Sequence, residues 1–345
     1  MSVWCDIASR NAYSVVLDSQ SMAEEMLELA MGKSAMNVVD RCLSVQPDEE
    51  VLIVTDPRKV GVAKAISVAV DAVGAEPIMA VMPLLESHGN EPPQTIAEAM
   101  IAADVAFTCT TKAITHTRAR LAAAESGTRT GILRGVTEDM MVEGAMSVDF
   151  DELRERTEAM AERITAADRA HVTDPNGTDV QFDLTGCLSF SLDGFFHDEY
   201  GFATLPPGEA PTHPKEDTAE GTIVIDVSMD NIGRLSQPIE MTVEGGHVTD
   251  VAGGGEAEAL QAIFDRADAN GTNLAEFAIG TNPKAKLIGN LAEDKKLAGT
   301  CHFAVGDNES LGGTRKSDIH LDGVIRRPTI RLDDTVVVEG GQLVV

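Results

Sequence analysis

The sequence predicts an α/β N-terminal domain built on a parallel sheet, followed by an α+β C-terminal domain of mostly antiparallel strands. Three observations carry this expectation. Short apolar runs rich in β-branched residues alternate with helix-periodic segments through the first half of the chain. After a charged amphipathic helix, Asp151–Ala170, hairpin signals replace that alternation. A length of 345 residues exceeds what one small core organises. The boundary falls near residue 168, giving an N-terminal domain over 1–168 and a C-terminal domain over 169–345.

A long helix is expected over Ser21–Leu43, then a strand at Glu49–Asp56 ("EEVLIVTD"). Val60, Ala63, Ile66, Val70 and Val73 then share one helix face, with Gly74 as its C-cap. "PIMAVMPL", Pro77–Leu84, reads as the next strand, "QTIAEAMIAA" as helix and "DVAFTCT" as strand. "THTRARLAAAESG" is a further helix, "GTRTGIL" a strand and "TEDMMVEGAM" a short helix. Its first strand–helix junction, "TDPRKVGVAK", carries neither GxGxxG nor GxxxxGK[ST], so this half reads as a scaffold forming one wall of a cleft. In the second half "AHVTDPNGTDVQFDL" is a hairpin turning at Asn176-Gly177. "GTIVIDVSM" and "PIEMTVEGGHVTDVAGG" continue the β pattern, "EAEALQAIFDRADA" is a single helix, and "RRPTIRLDDTVVVEGGQLVV" closes as a hairpin.

Formal net charge is −29, with only ten lysines among 27 cations. Self-repulsion of that size is relieved where molar salt shortens the Debye length to about 3 Å, so a salt-loving host is expected. No basic stripe is present to neutralise phosphates, which excludes nucleic acid as a partner. Five scattered cysteines form no CxxC pair, so neither a disulfide framework nor a thiolate zinc site is indicated. No uninterrupted apolar run of about 18 residues predicts a membrane span. The first twenty residues lack a basic and then apolar leader pattern, so a cytoplasmic protein is expected.

Chemistry-bearing residues gather late in the chain. His320 and Asp322, two apart in "DIHLDGV", lie on one face of a strand, and His302 sits in the apolar strand "TCHFAV". Imidazole and carboxylate together suit hard or borderline divalent metals. Glu276 in "NLAEFAIGTNP" is set among apolar residues, where a carboxylate needs exposure, a partner or a cation. Glu209 lies in "LPPGEAPTHP", whose Pro and Gly content predicts a loop. His213 and His197 are expected near the same cleft or packed, and His88, His116, His171 and His247 as structural or solvated residues.

"PPGEAPTHP", "AEFAIGTNP", "EDKKLAGTCHFAVGDN" and "KSDIHLDGVI" resemble, in this order, motifs of the aminopeptidase T / aminopeptidase S family. That family comprises dimeric metallo-exopeptidases with an α/β N-terminal domain and two metal ions in the C-terminal domain. The resemblance covers most of the chain and implies that Glu209, Glu276, His302, His320 and Asp322 occupy metal-ligand positions. It further implies a homodimer and a small peptide substrate, and the lack of a long apolar run leaves no membrane partner expected. Where the aminopeptidases carry a tyrosine seven residues after the first histidine, this chain has Glu309. Shorter relatives of the same family include 2,5-dihydroxypyridine 5,6-dioxygenase, a mononuclear iron enzyme that keeps the His-x-Asp pair.

Two chemistries are therefore expected as alternatives. In the favoured one, two Zn, Co or Mn ions about 3.5–4 Å apart activate a water that releases N-terminal residues from peptides. Glu309, Arg315 or Lys316 then stands in for the tyrosine as proton donor or oxyanion stabiliser. In the other, one Fe is held by His302, His320 and Asp322 for ring-cleaving dioxygenation, with Glu209 and Glu276 beside it. A third alternative is a metal-free structural or binding protein in which these groups hydrogen-bond one another.

Overall fold

The protein is described by a computed structural model covering residues 19–198 and 201–344. The leader expectation and Cys5 fall on residues outside this range. The fold has a five-stranded parallel sheet and two antiparallel sheets of six and eight strands, as the α/β-then-α+β expectation required.

The parallel sheet runs in the order Glu76–Val81, Glu50–Thr55, Val105–Cys109, Arg129–Leu133 and Phe202–Leu205. Alternation along its strands serves two cores. Val51, Ile53, Val105 and Phe107 pack with the helices Ser19–Met36 and Val60–Ala72. Leu52, Val54 and Ala106 pack with Gln94–Ala102 and Arg118–Glu125. The expected Ser21–Leu43 helix is α-helical over Ser19–Met36 and widens to a π-helix over Asn37–Cys42. The fifth strand, Phe202–Leu205, has no counterpart in the sequence reading. The chain returns to the parallel sheet after the Arg169–Asp183 hairpin and leaves it again immediately before Glu209.

Phe150–Ala166 joins the two halves physically. Asp149 caps it by accepting from the backbone N–H groups of Asp151 and Glu152. Phe150 and Leu153 belong to the N-terminal core, and Met160, Ala161 and Ile164 to the C-terminal one. The six-stranded sheet runs Gly233–Arg234, Ser228–Met229, His320–Ile325, Cys301–Gly306, Leu274–Gly280, Glu209–Thr212. The eight-stranded sheet covers one of its faces, and the contact centres on Phe182, Phe277 and Phe303, with ring centroids 5.1–5.9 Å apart. Among the described residues no helix is long and apolar enough to cross a membrane.

The loop expected around Glu209 is instead the edge strand Glu209–Thr212. An edge position explains why Pro211 is tolerated, because one side of that strand needs no ladder N–H.

Asp193, wholly buried between the hairpin and the returning strand, accepts from Phe195 N–H and Ser191 Oγ and lies 3.0 Å from His197 Nε2. The bond to Asp193 raises the His197 pKa above its ordinary value, against a smaller opposing effect of burial. A raised folded-state pKa stabilises the fold fully below the unfolded value of about 6.5 and stops doing so as pH rises through the folded value. His197→Gln should therefore cost more stability at pH 6 than at pH 9, read as the shift in denaturant midpoint against the parent protein at each pH. Equal shifts would remove the charged pair from the account.

Candidate metal centre

Strand register assembles the cluster. Ala304, on the central strand, faces Glu276 on one side and Asp322 on the other, and the next rungs pair Ala278, His302 and Val324. Residues two apart share a face, so Glu276, His302, Ala304, His320 and Asp322 project together. Phe277, Phe303, Val305 and Leu321 project oppositely into the apolar core. A β-bulge between Leu274 and Glu276 sets the phase, since the register steps from Leu274–Val305 to Glu276–Ala304 and leaves Ala275 extra. Were Ala275 instead paired in a regular strand, Glu276 would share the face of Leu274 and enter the core.

The side chains converge tightly. Donor atoms of Glu276, His302 and Asp322 all lie within 4.8 Å of one another. His302 Nε2 is 3.0 Å from Glu276 Oε1 and 3.7 Å from Glu209 Oε2. His320 Nε2 is 3.1 Å from Glu276 Oε2 and 3.3 Å from Asp322 Oδ1, while its Nδ1 donates to the Asp307 carbonyl at 2.8 Å. That carbonyl holds a proton on Nδ1 and leaves Nε2 turned toward the two carboxylates. Asp322 Oδ1 is buried without a hydrogen bond, the condition expected of a group shaped to receive a cation, and Glu209 Oε2 likewise makes none, with Lys295 Nζ 3.4 Å away. The donor set of imidazoles and carboxylates fits a borderline divalent ion such as iron(II).

Two lysines complete the charge pattern. Lys295 Nζ reaches Asp322 Oδ2 at 2.9 Å and Glu209 Oε2 at 3.4 Å, and Lys296 is ion-paired to Glu209 Oε1. Burial works to lower the Lys295 pKa, but Asp322, Glu209 and Glu276 outweigh it and hold the ammonium charged. For Lys296 burial wins over Glu209, and its pKa falls to about 8. Burial and neighbouring Asp322 oppose ionisation of Glu276, yet bonds from His302 and His320 keep it well below the usual carboxylate range. Asp322 is likewise depressed by Lys295 and His320 against the effect of burial. His320 is raised well above its ordinary value, as Asp322 and Glu276 overcome its desolvation.

The cluster thus unites Glu209, Glu276, His302, His320 and Asp322. Asn282 locks Glu209's end of it. Its buried Nδ2 donates to Pro207 and Ala145 carbonyls, its backbone pairs with Lys296 and Ala298, and a Cβ on Gly208 would lie 2.6 Å from its Cβ. Glu309, Arg315 and Lys316 make no hydrogen bond or ion pair with any of the five. Glu309 and Lys316 face each other at 3.9 Å in solvent, and Arg315 binds Asp217 and Glu216. His213 contacts Cys187 and the Pro214 carbonyl instead.

Sequence reasoning missed five neighbours. Lys295 and Lys296 stand in the "EDKK" run of a quoted motif, where a cluster of four charges carries no signal of burial. His116 lies within electrostatic reach of His320 and Glu276, and His88 of Arg134 and Asp322. Partial desolvation is the largest of the effects that lower both imidazole pKa values, His88 to about 4. Arg134 pairs with Asp230 at 2.6 Å, and the Asp230 N–H donates to the Asp322 carbonyl at 2.9 Å. These residues bring the carboxyl ends of the parallel strands to the site.

Comparison with known proteins corrects the expected reaction. A curated 2,5-dihydroxypyridine 5,6-dioxygenase of Pseudomonas putida KT2440 is 32% identical over 168 residues, 42% of this chain. The matched stretch spans 47% of that relative's length. The solved structure of 2,5-dihydroxypyridine dioxygenase from the same organism superposes with a TM-score of 0.75 at 22% identity, covering 93% of this chain and 97% of the other. Wild-type AmpT from Thermus thermophilus superposes at 0.65 with 18% identity, covering 92% and 100%. At those identities both structures show a shared fold and no more. The metallo-aminopeptidase expectation, with its hydrolase and peptide-substrate content, is overturned by the family assignment. Its motifs fall on the strands that build the cluster, so they mark a place in the fold and not the reaction performed there. A dioxygenase is an oxidoreductase, and the pattern of the 2,5-dihydroxypyridine 5,6-dioxygenase (NicX) family runs through residues 31–345, so the chain belongs to that family.

Proposed function

We propose that the protein is an iron-dependent dioxygenase opening the ring of a hydroxylated pyridine of the 2,5-dihydroxypyridine type. The observation that carries this reading is the state of Glu209. Its Oε1 is ion-paired with Lys296 and its Oε2 lies 3.4 Å from Lys295 Nζ, so two protein cations already face this carboxylate and the remaining donors suit one ion rather than two. His302, His320 and Asp322 would hold it as a two-histidine, one-carboxylate set, with Glu276 touching both imidazoles as an adjoining donor. Bound iron(II) supplies the one-electron chemistry that lets dioxygen react with a closed-shell ring. In the overall reaction the C5–C6 bond breaks and each carbon receives one oxygen atom, so no external reductant is required.

The chain's own groups prepare that site. Lys295 anchors Asp322 and neutralises part of the carboxylate charge left after one divalent ion is bound. Neutral His116 and His88, on the parallel-sheet side, offer imidazole nitrogens to ring hydroxyl groups. Phe303 and Phe277 back the ligand strands and prevent them from shifting.

Iron-loaded protein in high salt should consume one dioxygen per 2,5-dihydroxypyridine and bind about one iron per chain. His320→Ala should lose most of that iron while keeping its circular dichroism, and full iron content in the variant would exclude His320 as a ligand. Two ions per chain with no oxygen uptake would defeat the whole reading.

Ala304 gives an independent check, because it lies between Glu276 and Asp322 in the register. Ala304→Leu adds volume where the donors converge, so iron affinity should fall by at least tenfold in a folded protein. Overpacking costs about 1–3 kcal/mol of stability. Calorimetric iron titration that matches the parent protein would show that the ion binds elsewhere.

A further inference from the structure

Arg134 stands at the carboxyl end of the strand Arg129–Leu133, where the parallel sheet meets the metal cluster. Its guanidinium donates a single N–H to Asp230, makes no other hydrogen bond or ion pair among the described residues, and its side chain is 24% exposed. Asp230 itself is hydrogen-bonded through its backbone to the carbonyl of Asp322. The one ion pair thus sets four unused, directional donors beside the ligand strand. Arg134 feels Asp322 and Glu209 as well as Asp230, and His88 feels both Arg134 and Lys112.

Charge shows what those donors are for. The protein as a whole carries −29, yet Lys295, Lys296, Arg134 and Lys112 collect around this one site. Glu209, Glu276, Asp322 and Asp230 balance the first three with one negative charge to spare. A bound divalent ion reverses that balance and makes the site positive within an acidic surface. Such a site attracts and orients anions, and a planar guanidinium is the side chain best matched to a carboxylate or a ring oxide.

We propose that Arg134 is the substrate-binding residue that takes an anionic oxygen of the ring substrate, either a ring carboxylate or a deprotonated ring hydroxyl. This rests on the dioxygenase reading above and adds the recognition element to it. Asp230 holds the guanidinium in place until substrate arrives.

The test uses iron-loaded full-length protein under anaerobic conditions, with nicotinate and its neutral amide, nicotinamide, as calorimetric probes. Oxygen uptake is measured separately with 2,5-dihydroxypyridine and with a ring-carboxylated analogue of it. The parent should prefer nicotinate to nicotinamide. Arg134→Gln should erase that preference and weaken nicotinate roughly 10- to 100-fold, raising KM far more than it lowers kcat. Asp230→Asn should keep the preference, since it frees the guanidinium. Equal losses in the two variants would reduce Arg134 to a clamp between the halves and overturn the proposal, as would a parent with no preference for the anion. Should Arg134→Gln not fold, Arg134→Lys decides: weaker nicotinate with the preference kept supports the proposal, and unchanged binding overturns it. A higher kcat/KM on the carboxylated analogue would identify the anion as a carboxylate, and the reverse order a ring oxide. Absent oxygen uptake with the nicotinate preference intact would sink the dioxygenase reading and leave the anion site standing.

Discussion

The structure depends on one rung of the six-stranded sheet, in which Ala304 separates Glu276 from Asp322. The small methyl group of Ala304 leaves room between the two carboxylates. Convergence is costly, because like charges in a buried setting repel and each lacks water. Everything around the rung answers that cost. His302 and His320 lie against Glu276, Lys295 lies against Asp322, and the bulge at Ala275 turns Glu276 out of the core. The Phe182, Phe277 and Phe303 cluster then holds the reverse face rigid, so the ligand strands cannot relax apart.

Much of this was legible beforehand, for specific physical reasons. Strand–helix alternation in the first half is a strong signal, because parallel strands need crossover helices and both leave periodic traces. The Asn176-Gly177 hairpin was equally clear from its turn chemistry. His320 and Asp322 advertise themselves by a spacing of two on a strand. Glu276 was conspicuous as a carboxylate in an apolar run, although its facing depended on a bulge that composition does not encode. Glu209 was misread as loop, since Pro and Gly signals outweighed an edge strand that only its neighbour's register defines. Lys295 and Lys296 were passed over because a run of charges is ordinarily solvated, and their burial follows from Asn282 and the short helix Leu291–Asp294.

The reaction was illegible for a different reason. A hydrolytic site and an oxygenase site can share strands, register and most of their donor residues, so motifs drawn from those strands identify a place and not a chemistry. What separates the chemistries is the number of ions held and what faces them. The number turns on whether Glu209 is free, and two ammonium groups engage it. What would face an ion comes from the parallel-sheet half, where His88 and His116 were read as structural or solvated and Arg134 drew no reading.

Charge placement ties these points together. An acidic surface in strong salt is screened within a few ångströms, so it exerts little pull on a ligand at a distance. Buried charges escape most of that screening. A cation-rich cluster inside such a protein therefore keeps its selectivity when the surface has lost its own. Lys295 and Arg134, each paired to an acid in the structure, are held where desolvation makes their charge count. The scarcity of lysine makes their concentration here more telling, since four of the chain's 27 cations gather about one site while the remainder of the surface stays acidic. The same residues thus offset the carboxylates when no ion is bound and select for an anion once one is, and a single arrangement accounts for both stability and recognition.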